Sequence, residues 1–228
     1  NIETNEEKCP ICGEKTIEDL PTEVYWCKTC RIPIIQTINQ ADKGICPICG
    51  GTIKYLSADL RPVFPEERQL LEILLDKKPQ ELSKSSIWAA NNRYYIDGKG
   101  ISIPNSVFQH ADTDAISEKL EVHAALNTYA YFDKYIEAFI NANKNRLNYI
   151  KNEAFEFVRK TASGFDEERL VISFSGGKDS TVTADVVVKA LSNPSLVHIF
   201  GNTTLEFPTT IKYAEMYRKN HPQAIFLF

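Results

Sequence analysis

The sequence predicts an α/β protein whose last quarter is part of a doubly wound parallel sheet, preceded by a helical segment and a small β-rich module. Three observations lead there. After residue 169, short apolar runs alternate with helical stretches. Between residues 112 and 160, apolar side chains recur at three- and four-residue steps. All six cysteines of the 228-residue chain lie in its first 49 residues, as three Cys-x-x-Cys pairs. With 43% hydrophobic and 25% charged residues the chain can bury a core, which excludes long disorder. No apolar run approaches the ~18–20 residues of a membrane span, so no membrane partner is expected. The net charge of −4 gives no overall attraction for nucleic acid. The chain opens on Asn1-Ile2-Glu3-Thr4 and closes on an apolar run, and further sequence is expected beyond both ends.

Four segments follow in order. Residues 1–56 carry the cysteine pairs, separated by β-prone stretches such as Glu23 to Trp26 and Arg31 to Ile38. Residues 57–110 form a small mixed α+β module. Pro65 with Glu66 and Glu67 starts a helix, Leu70, Leu71, Leu74 and Leu75 give it one apolar face, and Pro79 ends the run. Ile87 to Ile96 and Ile101 to Ile103 flank Asp97-Gly98-Lys99-Gly100, a hairpin signal. Residues 111–165 are helical, with Phe132, Ile136, Phe139, Leu147, Ile150, Ala154 and Phe157 on an apolar stripe and a break expected near Asn141 to Asn145. The aromatic-rich stripe suits a layer packed on a sheet better than a coiled-coil seam. Residues 166–228 read as strand (Leu170 to Phe174), helix (Asp179 to Leu191), strand (Leu196 to Phe200), helix (Pro208 to Asn220) and strand (Ala224 to Phe228).

The richest stretch is Ser173-Phe174-Ser175-Gly176-Gly177-Lys178-Asp179-Ser180, between the first of these strands and its helix. Backbone N–H groups at such a junction can point at an anion, and the helix dipole favours negative charge. The two glycines permit the turn and a close backbone approach to phosphate. Ser175 and Ser180 add hydroxyls, Lys178 adds positive charge, and Asp179 can hold Mg2+ or anchor the loop. The spacing is neither that of a Walker loop nor that of the three-glycine dinucleotide fingerprint.

This loop resembles the pyrophosphate loop (PP-loop) of the adenine-nucleotide alpha-hydrolase superfamily, whose fold is HUP-like. The stretch Gly201-Asn202-Thr203-Thr204-Leu205-Glu206-Phe207-Pro208-Thr209-Thr210 is similar to the Asp-Thr-Gly-x-Glu-Phe-Pro-Glu-Thr segment of the phosphoadenosine phosphosulfate (PAPS) reductase family. The resemblance covers about residues 140–228. Arg61 to Arg68 after cysteine pairs also resembles archaeal members with an N-terminal zinc ribbon. Asn202, Thr204 and Thr209 stand where the family usually has Asp, Gly and Glu. The resemblance implies an adenine nucleotide, ATP or a PAPS-type sulfonucleotide, bound with Mg2+ by residues 173–180 and by Gly201, Asn202, Thr203 and Glu206. It also implies catalytic roles for Lys178, Asp179 and Ser180. An intact loop implies cleavage of ATP to AMP and pyrophosphate, activating a substrate in sulfur-linked metabolism. Two alternatives stand beside that reading. One is a sulfonucleotide reductase, whose nucleophilic cysteine belongs near the C-terminus, although no cysteine follows Cys49 here. The other is a non-catalytic nucleotide-binding subunit docking through its ribbon.

Cys9-Pro10-Ile11-Cys12-Gly13 and Cys46-Pro47-Ile48-Cys49-Gly50 are zinc-knuckle sequences, and Cys27-Lys28-Thr29-Cys30 lies between them. Each adjacent pairing fits a four-cysteine zinc ribbon, so structural Zn2+ is expected, with the choice of four left open. Clustered metal cysteines favour a reducing, cytoplasmic setting over a disulfide framework. His110, His123, His198 and His221 have no ligand-like spacing to them. Residues 1–49 hold five Lys/Arg against eight Asp/Glu, which favours a structural or protein-docking ribbon over a nucleic-acid grip.

Overall fold

The structure, a computed structural model, describes residues 8, 13, 21–38, 40–90, 93–124 and 126–227. The chain divides into two units, Asn1–Lys144 and Asn145–Phe228.

In the first unit, β1 (Thr22–Cys27), β2 (Ile32–Thr37) and β3 (Lys54–Ser57) form an antiparallel sheet in the order β2-β1-β3. Tyr25 lies opposite Ile34 on one side and Tyr55 on the other. Tyr25, Cys27, Ile32, Ile34, Cys46 and Ile53 bury one cluster with Tyr135. A second antiparallel sheet follows, β4 (Arg61–Pro62), β5 (Ile87–Ala90), β6 (Arg93–Ile96) and β7 (Lys99–Ser102), in chain order. The expected hairpin turn is Asp97-Gly98, at φ +50° and +79°, the two positive values of a type I′ connection. Arg31 ties the two sheets together: its guanidinium donates to the Asp97 carboxylate and to the Lys84 carbonyl.

Helix α1 (Pro65–Leu74) starts at proline, as its sequence requires, but ends well before Pro79. Asp76 takes a left-handed conformation (φ +52°), and Asp76 and Lys77 N–H return to the Ile73 and Glu72 carbonyls. That is a Schellman stop, so the helix closes on its own carbonyls before proline can act. Helix α2 (Asn105–Gln109) is short.

The helical stretch is divided into α3 (Thr113–Ala124), α4 (Ala130–Ala142) and α5 (Lys144–Ala162). Between α3 and α4 the chain is held by α1. Asn127 accepts from Arg68 Nη2 and donates to Glu66, and Tyr129 donates to Glu66 at 2.7 Å. At the second break, Asn143 is buried; its Oδ1 accepts from Ile35 N–H at 2.6 Å and its Nδ2 donates to the Pro33 and Phe139 carbonyls. These side-chain bonds to the β2 backbone replace continuation of the helix.

In the second unit, after α5 and a 3-10 turn at Glu167–Arg169, β8 (Val171–Ser173), α6 (Lys178–Leu191), β9 (Val197–Ile199), α7 (Pro208–Asn220) and β10 (Ile225–Leu227) alternate as expected. The three strands are parallel, in the order β8-β9-β10. Residues of both α6 and α7 pack with Ile172, Phe174, Leu196 and Phe200. Ala184 and Ala214, both fully buried, let the helix backbones approach the sheet. Double winding needs a reversal of strand order, which puts helices on both faces. Among the described residues the order advances one way, and Val171, Ile199, Ile225 and Leu227 on the other face are exposed. The expected doubly wound sheet is therefore narrowed to one parallel sheet with α6 and α7 on a single face.

Candidate functional site

The phosphate-loop sequence occupies the C-terminal end of β8 and the start of α6. Phe174 N–H donates to the Ile199 carbonyl at 2.9 Å, carrying the parallel ladder one residue past the strand. The Phe174 ring is buried, 4.4 Å from the Tyr217 ring and 5.5 Å from that of Phe226. It anchors the loop to the core, so Phe174 can offer a ligand only its main chain.

The chain then turns at Gly176, which has φ +74°. A Cβ there would also stand 3.1 Å from Cγ2 of Thr210, in the first turn of α7. Both the conformation and the close approach call for glycine. Gly177 is the N-cap of α6 and offers no capping side chain, which leaves the first-turn amides of a 14-residue helix to an external partner. Ser175, Lys178 and Asp179 are exposed beside that helix start.

The hydroxyls are already organised. Ser180 Oγ donates to the Gly177 carbonyl at 3.0 Å and accepts from Ser175 N–H at 3.2 Å. Ser175 Oγ donates to Ser180 Oγ at 3.1 Å and receives Gly177 N–H at 3.4 Å. The loop thus has a fixed shape through its own side chains. Two residues outside the sequence reading join it. Thr181 Oγ1 donates to the Gly177 carbonyl at 2.8 Å and lies 3.2 Å from the Tyr213 hydroxyl. Thr181 was legible in principle as a hydroxyl four residues past the cap; Tyr213, on α7, has no local signal.

The second segment follows β9. Asn202 Oδ1 accepts from Thr204 N–H at 2.9 Å, and Thr203 Oγ1 donates to Glu206 Oε1 at 3.0 Å. Asn202 therefore serves the turn with the oxygen that an aspartate would offer to a metal. Thr204 has φ +66°, an uncommon conformation for a β-branched residue and one that suits glycine. Glu206 is the carboxylate that remains in this segment, and Leu205 and Phe207 beside it are strongly exposed. Gly201 to Glu206 and the 173–180 loop both follow C-terminal ends of adjacent parallel strands, where open α/β sheets bind ligands. A cavity of about 210 Å³ lined by His198 and His221 lies at the opposite ends of the strands, near Pro194 and Ala224.

Among the cysteines, the structure brings together Cys27, Cys30, Cys46 and Cys49, all four Sγ atoms lying within 4.8 Å of one another. Cys27 Sγ is 3.5 Å from Cys49 Sγ, and Cys30 Sγ is 3.9 Å from Cys46 Sγ. Tetrahedral zinc with bonds of about 2.3 Å holds its sulfurs about 3.8 Å apart, so the set fits that ion. Both pairs fold alike: Arg31 N–H returns to the Cys27 carbonyl and Gly50 N–H to the Cys46 carbonyl. Burial pushes the Cys27 and Cys30 thiols up, while the Gly51 N–H holds Cys49 down to about 7. Four thiolates this close need a cation to ionise together, which a coordinated divalent metal supplies. Cys9 and Cys12 lie outside the described residues.

Residues 169–225 match the family model of the phosphoadenosine phosphosulfate reductase domain. Two curated relatives, the uncharacterized proteins MJ0066 and MJ0973 of Methanocaldococcus jannaschii, are 34% identical over 87 residues and 32% identical over 92. These matches cover 37% and 40% of this chain but 18% and 22% of the relatives, so the chain spans about a fifth of the length of the proteins it matches. No solved structure matches.

Proposed function

We propose, from a phosphoadenosine phosphosulfate reductase-type domain that carries an intact Ser-Gly-Gly-Lys-Asp-Ser loop, that this protein binds ATP with Mg2+ and cleaves it between the α and β phosphates. The observation that carries the reading is the loop at the start of α6. An uncapped helix N-terminus, a Gly176–Gly177 turn held in shape by its two serines, and an exposed lysine at the helix start support the reading, because a pyrophosphate leaving group needs such charge stabilisation. Lys178 neutralises the β and γ phosphates and the first-turn amides orient them, while Ser175 and Ser180 hold the loop in the shape that presents those amides. Asp179 and Glu206 are the carboxylates suited to Mg2+, which would supply electrostatic stabilisation of the leaving pyrophosphate. Cleavage leaves an adenylylated substrate for attack by a sulfur or nitrogen nucleophile in sulfur-linked metabolism. Zn2+ on the cysteine cluster plays a structural part, and the acidic ribbon faces a protein partner in the cytoplasm.

The domain match itself favours a second reading, reduction of PAPS or adenosine phosphosulfate. That chemistry needs a cysteine nucleophile outside residues 50–228, which contain none. The two readings separate on products. Incubation with α-labelled ATP, Mg2+ and candidate acceptors is expected to give AMP and pyrophosphate from the wild type but not from Lys178→Ala. Sulfite released from PAPS with no AMP formed from ATP would replace the first reading by the second. ATP bound but uncut with every acceptor would indicate a non-catalytic subunit.

A further inference from the structure

Gly177 marks the point where the loop becomes helix, and its carbonyl is heavily committed. It accepts from Thr181 N–H at 3.1 Å, from Thr181 Oγ1 at 2.8 Å and from Ser180 Oγ at 3.0 Å. A trans peptide points its N–H opposite to its C=O, and here the next N–H is that of Lys178. Fixing the Gly177 carbonyl toward the helix therefore aims the Lys178 amide away from it, toward the open side of the loop. That amide is among the first-turn donors on which the nucleotide reading depends.

The Thr181 hydroxyl has one hydrogen, which goes to Gly177. The contact 3.2 Å away must then be donated by Tyr213 to the Thr181 oxygen. Tyr213 is half-buried on α7, its ring stacked at 14° to that of Phe174 and 6.4 Å from it, so the hydroxyl is held in place by the core. Helix α7 also begins just after the Gly201–Glu206 segment, and its Thr210 touches Gly176.

We propose that Tyr213 is a positioning residue for phosphate binding, acting through Thr181 to set the Gly177–Lys178 peptide, and that it makes loop shape depend on the seating of α7. The inference rests on the phosphate-binding reading of the loop and adds to it a residue 33 positions past the last serine of the motif. It also gives the wall formed by Gly201 to Glu206 a physical route to the loop, since any shift at the start of α7 moves Tyr213 and Thr210 together.

The test uses Tyr213→Phe, which keeps the ring, with Thr181→Val and Thr181→Ser as partners. Two measurements are made on the same protein: the mobility of the Lys178 backbone amide without ligand by NMR relaxation, and titration with inorganic pyrophosphate and Mg2+. Tyr213→Phe is expected to loosen the Lys178 amide and to weaken pyrophosphate about three- to tenfold, the scale of one hydrogen bond. Thr181→Val should do the same, Thr181→Ser should not, and adding Tyr213→Phe to Thr181→Val should change nothing more. An unchanged Lys178 amide in Tyr213→Phe overturns the proposal whatever the titration shows. A loosened amide in a protein whose wild type binds no pyrophosphate overturns the phosphate reading instead, and leaves Tyr213 a loop-setting residue without that ligand.

Discussion

Thr204 carries a local backbone cost. It holds a left-handed φ of +66° with a branched Cβ, at the position where the resembling family carries glycine. The Asn202 side chain bonded to its N–H keeps the turn in place against that cost. Thr204→Gly is expected to raise the stability of the second unit by about 1 kcal/mol, measured by urea unfolding, because the backbone then adopts its native angle without a Cβ penalty. His198 makes a second residue-scale case. Its Nδ1–H donates to the Leu196 carbonyl at 2.9 Å, the ring is 1% exposed and stacks on Phe226, and burial lowers its pKa. The unfolded chain then takes up this proton first as pH falls. Stability is full above the ordinary histidine pKa of about 6.5 and declines as pH drops below it, levelling off only below the depressed folded value. Replacing His198 with phenylalanine should flatten thermal stability between about pH 6.5 and 5; an unaltered acid limb would assign it to other groups.

At the scale of elements, the parts that periodicity and caps specify were legible. Helix α7 spans Pro208 to Asn220, the range its sequence predicts, because proline starts it and a local apolar face carries it. The strands lie within their expected runs for the same reason. What sequence left unresolved depends on tertiary bonds. The division of the helical stretch near Asn127 is set by Glu66 and Arg68, about sixty residues earlier in the chain. The break at Asn143 was expected in place but not in cause, since its partners, Ile35 and Pro33, lie more than a hundred residues away. Asn143→Ala leaves the half-buried Ile35 N–H and the buried Pro33 C=O of β2 unpaired and should destabilise the first unit by about 2–3 kcal/mol. Asn143→Ala within 0.5 kcal/mol of wild type in chemical unfolding would contradict the assignment.

Across the whole molecule, the two candidate sites differ in how far sequence could take them. The candidate phosphate loop is legible as a contiguous motif, while the hydrogen bonds that Thr181 and Tyr213 add to it needed the fold. The cysteines were readable as candidate metal ligands but not as partners, since spacings of 14 and 15 residues serve either adjacent pairing. Folding decides it: β1 and β2 bring Cys27 and Cys30 against the Cys46–Cys49 turn. One zinc is expected on these four sulfurs. The double variant Cys9→Ser/Cys12→Ser should keep that zinc by metal analysis, whereas Cys30→Ser or Cys46→Ser should lose it. Chelation of the wild type should melt the β1–β3 sheet, whose buried cluster includes Cys27 and Cys46.

Nucleotide binding by the loop at α6 through Lys178 is the central expectation for this protein. Calorimetric titration of wild type and Lys178→Ala with ATP and with PAPS, each in the presence and absence of Mg2+, tests that most directly. Mg2+-dependent ATP binding to the wild type is expected, preferred over PAPS and weakened at least tenfold in Lys178→Ala. ATP affinity indifferent to Lys178, or no binding of either nucleotide by a folded, zinc-loaded protein, would contradict it.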